Sequence, residues 1–275
     1  MKRSKLAYMV ETCVALGVII VFCVFPIYWI VSASLKTSAE ASQMPPAWWF
    51  QPNLENYFNA FENRNLGRFV LNSVIVASGS TVLAVAMGSL TAYSFSRFSF
   101  KREKDLTFWI LSTRMFPPIT AVLPLFLLYR QFGLIDSRQG LIIAYCAFNL
   151  GFAVWMMRGF FDQVPREIDE MGWVDGCTPW GAFVRLVLPL AKPGLAATTM
   201  VTFLFCWNEF LFALILTRKT AVTLPVGVMG FVTMRGILWG PMSAAATVLM
   251  VPMIVFAFIS QKYLIRGLTF GAVKE

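Results

Sequence analysis

Apolar residues run along this chain in long blocks set apart by short polar segments. The blocks show neither the alternation of a half-buried strand nor the one-sided stripe of a soluble helix. Six of them are about 20 residues or longer, which lets a helix cross a hydrocarbon layer about 30 Å thick. They cover roughly 10–35, 69–94, 106–129, 140–161, 194–217 and 242–264. The pattern predicts an all-α membrane protein with six transmembrane helices. Little sequence is left over for a soluble domain, so residues 1–275 are expected to form a single transmembrane domain.

The polar segment over about 164–192, between the fourth and fifth blocks, carries helix signals of its own. Pro165 suits a first turn, and Glu167, Asp169 and Glu170 crowd the positive end of the helix dipole. Val164, Ile168, Met171 and Val174 recur at steps of three and four, predicting an amphipathic stripe. Gly176 offers a left-handed C-terminal cap, while Thr178 and Pro179 read as an N-cap and first-turn pair opening a second helix. Phe183, Val187 and Leu190 extend an apolar face until Pro189 and Pro193 end it. The segment is therefore expected to be two short helices on the membrane surface, hinged at Asp175, Gly176 and Cys177.

Composition agrees with a membrane protein. Hydrophobic residues make up 58% and charged ones only 13%, with a mean hydropathy of +0.68, far from a soluble domain. The net charge of +9 has a topological reading, because cytoplasmic loops collect Lys and Arg. The N-terminus, the 95–105 and 158–192 loops and the C-terminal tail hold Lys2, Arg3, Lys5, Arg97, Lys101, Arg102, Lys104, Arg158, Arg166, Arg185, Lys192, Lys262, Arg266 and Lys274. The opposite loops hold Lys36, Arg64, Arg68, Arg130, Arg138, Arg218, Lys219 and Arg235. The heavier side predicts cytoplasmic termini. Basic residues scattered over short loops suit lipid head groups rather than nucleic acid. Lys2, Arg3 and Lys5 precede an apolar run too long for an ordinary signal peptide, so a retained first span is expected.

Candidate chemistry is sparse. There is no histidine, and Cys13, Cys23, Cys146, Cys177 and Cys206 have no C-x-x-C spacing. No G-x-S-x-G, H-E-x-x-H or Walker A pattern occurs. The chain is expected to have no catalytic residue, no metal site and no cofactor of its own. Two ionisable residues lie within spans, Arg114 in the third and Glu209, beside Asn208, in the fifth. Burying charge in a bilayer is costly, so all three are candidate cavity or gate residues. A straight-helix reading separates Arg114 and Glu209 by about 10 Å in depth. Pro117 and Pro118 could break the third span just beyond Arg114.

The 164–192 segment resembles the signature of inner-membrane subunits of ATP-binding-cassette importers. That signature runs Glu-Ala-Ala, three residues, Gly, nine residues, a branched apolar residue, one residue, Leu-Pro. Glu170, Gly176, Leu186, Leu188 and Pro189 take the matching places. Met171 and Gly172 stand where the alanines are usual, and Leu186 replaces the usual isoleucine. The run Asp175–Trp180, Trp207–Phe210 in the fifth span, Pro52–Tyr57 and the tail Arg266–Lys274 are similar to the carbohydrate-uptake branch, in particular the shorter permease of the maltose type.

The resemblance implies a type I importer permease fold with a cytoplasmic coupling helix between spans 4 and 5. It implies that Glu170, Met171, Gly172, Trp173, Val174, Asp175, Gly176, Leu188 and Pro189 contact an ATPase, with Gly271, Ala272, Val273 and Lys274 of the tail as a second contact. The implied partners are a second permease, two ATP-binding subunits that carry the ATP and Mg, and an extracytoplasmic solute-binding protein. The implied solute is a carbohydrate or a polyol or glycerol derivative, and the implied location is a bacterial or archaeal cytoplasmic membrane. A rival reading is an ion-coupled secondary transporter in which Glu209 takes the proton or sodium.

Overall fold

A computed structural model describes residues 5–99, 101–234 and 236–270. The chain opens with α1 (Lys5–Ser34), the short α2 (Ser38–Ser42) and α3 (Glu55–Asn63), then the long α4 (Leu66–Arg97). Next come α5 (Glu103–Met115), α6 (Pro118–Gln131), α7 (Arg138–Phe161) and α8 (Glu167–Val174). α9 (Pro179–Ala182) passes through a π turn (Phe183–Val187) into α10 (Leu188–Leu190). α11 (Lys192–Trp207), α12 (Leu211–Leu216), α13 (Leu224–Met229), the hairpin β1–β2 (Val232–Thr233, Gly236–Ile237) and α14 (Trp239–Phe270) complete it.

Among the described residues, four helices are long and apolar enough to span a bilayer unaided: Glu11–Ser34, Leu66–Arg97, Arg138–Phe161 and Trp239–Ile259. The number rises to six if each of two bent helix pairs is one span. The third apolar block is one such pair, α5 and α6, bent by 93°. Its break has a local cause. Pro117 and Pro118 have no N–H for the ladder, and the residue before a proline is pushed to extended backbone, as Phe116 is. The fifth apolar block is also divided, at residues 208–210 between α11 and α12.

Packing divides the described residues into two compact units, one within 1–67 and 227–251 and the other within 68–226 and 252–270. In the first unit, Asn56 on α3 donates to the carbonyls of Ser34 (3.0 Å) and Lys36 (2.6 Å), satisfying the end of α1. Trp48 meets Trp29 edge-on at 5.7 Å, and the Lys36 ammonium lies over the Trp29 and Phe50 rings. Thr37 and Glu40 form a capping box on α2.

The second unit is built on close helix contact. A Cβ added at Gly88 of α4 would lie 2.6 Å from the Ala153 methyl of α7, and one at Gly151 would lie 2.7 Å from the Ile110 carbonyl of α5. Small residues let membrane helices approach this far, where dispersion rather than exclusion of water drives association. Toward one end of α4, the buried core comprises Tyr93, Val154, Met157, Phe161, Phe183 and Val187. The Tyr93 ring lies 4.7 Å from that of Phe183 and 5.9 Å from that of Phe161.

Candidate coupling hook and cavity

Residues 167–190 form a two-helix hook whose geometry follows from its sequence. α8 ends in a left-handed cap: Gly176 has φ +85°, the Cys177 N–H reaches back to the Gly172 carbonyl at 2.8 Å, and the Asp175 N–H to that of Met171 at 3.0 Å. Thr178 then caps the next helix, its hydroxyl accepting the Gly181 N–H at 3.1 Å, with Pro179 in the first turn. The π turn has a cause in Pro189, which has no N–H to give the Arg185 carbonyl; one residue earlier the Leu188 N–H bonds back to Phe183.

The expected stripe is split between two sides. Val164 is buried and Ile168 half-buried, while Met171 is 57% and Val174 87% exposed. The buried side of α8 is formed by Asp169 and Gly172. Helical spacing permitted either set; what decides is that the acid has partners across the fold. Tyr93 Oη donates to Asp169 Oδ1 at 2.6 Å, and Arg97 Nε donates to Oδ2 at 2.6 Å. The Arg97 and Asp169 side chains are 3% and 1% exposed. The guanidinium also donates to the carbonyls of Val164 (2.9 Å) and Phe161 (3.2 Å), and Arg166 donates to the Ser96 carbonyl (2.8 Å). A buried ion pair persists only when its remaining hydrogen-bonding capacity is met, and here it is. Neither Asp169 nor Arg97 stood out as a pair in the sequence, because 72 positions separate them.

With its base fixed, the hook presents Glu170, Met171, Trp173, Val174, Asp175, Gly176 and Trp180 outward. Gly172 faces inward instead: a Cβ there would lie 2.5 Å from Leu186 Cδ1. The two departures from the importer signature at Gly172 and Leu186 thus fit against each other. Leu188 is half-buried and Pro189 exposed. Leu190, expected on the apolar face, is 56% exposed, since that face ends at Val187. The tail residues Gly271, Ala272, Val273 and Lys274 lie outside the described residues.

The break in the third block brings Arg114 and Glu209 to one cavity of about 400 Å³, despite the depth difference expected from straight helices. Thr113, Asn149, Phe148, Phe205 and Phe212 share its lining. The Arg114 guanidinium lies 4.4 Å from the Phe205 ring centroid and donates to Asn149 Oδ1 at 3.2 Å. Both Glu209 oxygens are occupied: the Phe212 N–H bonds to Oε1 at 2.9 Å and the Ala213 N–H to Oε2 at 3.2 Å. The carboxylate thereby satisfies the first free donors of α12 inside the divided block. Asn208 points back to the Leu204 carbonyl at 2.8 Å and does not line the cavity.

At the end of α4 far from the hook, the turn before α7 clasps the segment after α12. The Asp136 carboxylate accepts the N–H groups of Arg218, Lys219, Thr220 and Ala221 at 2.9–3.2 Å. Its main-chain carbonyl accepts the Thr220 hydroxyl. Burial pushes this carboxyl up, but the four N–H donors outweigh burial and hold it well below the usual carboxylate range. Sequence patterning did not single this site out, because its ligands are main-chain groups.

Residues 84–270 match the family described as binding-protein-dependent transport system inner membrane component. The chain is 36% identical to the trehalose transport system permease protein SugB of Mycobacterium tuberculosis, covering 92% of this chain and 93% of that protein. It is 35% identical to the sulfoquinovosyl glycerol transport system permease protein SmoH of Agrobacterium fabrum, covering 95% and 92%. Its fold is similar to a chain in the crystal structure of a bacterial ABC transporter that imports the acidic polysaccharide alginate. That match has a TM-score of 0.80 and 23% identity, and covers 96% of this chain and 98% of the other.

Proposed function

Because the chain belongs to the family of binding-protein-dependent transport system inner membrane components, we propose that it is the permease half of an ATP-driven importer for a carbohydrate or a polyol or glycerol derivative. The proposed assembly pairs it with a second permease, two ATP-binding subunits and an extracytoplasmic solute-binding protein. The solute class is taken from the relatives, which are named for trehalose and a sulfoquinovosyl glycerol. ATP and Mg belong to the partner subunits. Both termini are cytoplasmic, which puts the hook on the cytoplasmic side and the Asp136 clasp outside.

One observation carries the coupling role. Met171, Val174 and Trp180 are exposed on an element whose base is locked by a buried ion pair. Apolar and aromatic side chains held rigidly at a surface are what a protein–protein anchor requires. The hook binds an ATPase subunit through Glu170, Met171, Trp173, Val174 and Asp175, with Gly176 holding the bend and Leu188 and Pro189 closing the second arm. Arg114 and Glu209 line the solute path, and Gly271–Lys274 form a second ATPase contact. The ion-coupled alternative is not favoured, since both Glu209 oxygens are engaged by main-chain N–H groups.

The test is capture of the tagged chain from its native membranes in mild detergent. Two ATP-binding subunits and one second permease are expected with it. A Met171→Asp chain that reaches the membrane should lose the ATP-binding subunits. Capture of the wild-type chain without any ATPase overturns the reading.

A further inference from the structure

α4 is tied by side-chain hydrogen bonds to another segment near each end. At its cytoplasmic end Tyr93 and Arg97 hold Asp169 of the hook at 2.6 Å each. At its outer end Asn72 Nδ2 donates to the carbonyls of Thr220 (3.0 Å) and Val222 (2.8 Å), and Ser73 Oγ accepts the Leu224 N–H at 2.7 Å. Asn72 Oδ1 in turn accepts Nε of Arg138, at the start of α7, at 2.8 Å. The segment so gripped is the one that Asp136 clasps. From Asn72 to Arg97 the helix rises about 38 Å, a full bilayer crossing.

Two other routes from the hook through the bundle are interrupted. The chain bends by 80° between the second arm of the hook and α11, and α11 itself stops at Trp207 before α12. α5 and α6 meet at 93°. α4 and α7 contain no proline and no break, and pack closely where Gly79 faces Ile142 and Gly88 faces Ala153. A displacement applied at the hook is absorbed at a bend and delivered by an unbroken, close-packed pair.

We infer that α4, braced by α7, is the rod that carries hook movement to the outer clasp, with Arg97–Asp169 as its inner joint and Asn72 as its outer joint. These are positioning residues, each acting through the segment it holds. The inference rests on the reading of the hook as the ATPase contact.

The test uses the assembled importer purified with its captured ATPase subunits, the five native cysteines replaced by alanine. Ile119→Cys in the cavity reports outward opening through its reaction rate with a charged maleimide, with and without Mg-ATP and vanadate. Vanadate trapping should raise that rate in the parent complex. Asn72→Ala should retain the ATPase subunits and their ATP hydrolysis yet reduce the rise about tenfold, and Asp169→Asn should reduce the rise about tenfold per captured ATPase. Because the two joints act in series, the double variant should fall no further than the worse single one. A rise within about twofold of the parent in either single variant, or a double variant in which the two losses multiply, overturns the inference. If Asp169→Asn does not accumulate, Tyr93→Phe reads the same joint, removing one hydroxyl and keeping the ring, and a full rise there overturns it as well. Failure of the parent chain to capture any ATPase sinks the importer reading itself, a separate result.

Discussion

Two glycines on helical faces show how differently the same residue is constrained. A methyl at Gly88 meets the Ala153 methyl at 2.6 Å and main-chain atoms of Ala153 and Val154 at 3.1 Å, none of which can rotate aside. Gly88→Ala should cost about 1–3 kcal/mol through overpacking, read as a lower thermal midpoint of the detergent-solubilised protein. A methyl at Gly172 is crowded only by the tip of Leu186, a flexible side chain at 2.5 Å, and meets Ala182 and Cys177 at an ordinary 3.8 Å. There Gly172→Ala should change the midpoint little, because rotation of Leu186 is offset by about 1 kcal/mol of helix propensity. Asp136 supplies a pH prediction. Its carboxyl is depressed, so its contribution to the clasp is fully present above the ordinary carboxylate range and is lost only as pH falls through the lowered value. Protection of the Lys219–Ala221 amides from hydrogen exchange, after correction for intrinsic rates, should therefore be flat between about pH 5 and 8. Asp136→Asn should remove that protection across the whole range.

At the scale of the element, the hook was legible because capping signals are local. Thr178, Pro179 and Gly176 each act within four residues, so their sequence positions fixed the turn that the structure shows. Which side of α8 faces inward was not legible, since Asp169 finds Arg97 only through folding. The stripe of Val164, Ile168, Met171 and Val174 divides for that reason. Gly176→Pro should abolish solute uptake while leaving the protein in the membrane, because proline can neither adopt φ +85° nor give the N–H that now bonds to the Trp173 carbonyl at 3.1 Å. Uptake at the wild-type rate in cells carrying that variant would remove the hook from the coupling route.

For the whole molecule, the distribution of Lys and Arg gives an expected orientation, with both termini cytoplasmic. Alkaline phosphatase fused after Lys219 should be active outside the cell, and the same fusion after Lys104 inactive. The reverse outcome would place the hook outside, where no ATPase could reach it. The sequence by itself determined the membrane class, the apolar blocks, the local caps of the hook and the family resemblance, because each depends on residue type at short spacing. Tertiary structure alone decided that Arg114 and Glu209 share a cavity, that Asp169 is an anchor rather than a dipole acid, and that Asn72 and Arg97 bind at opposite ends of one helix. Those facts join residues as far as 150 positions apart, and no local periodicity encodes which distant partner closes a buried hydrogen bond.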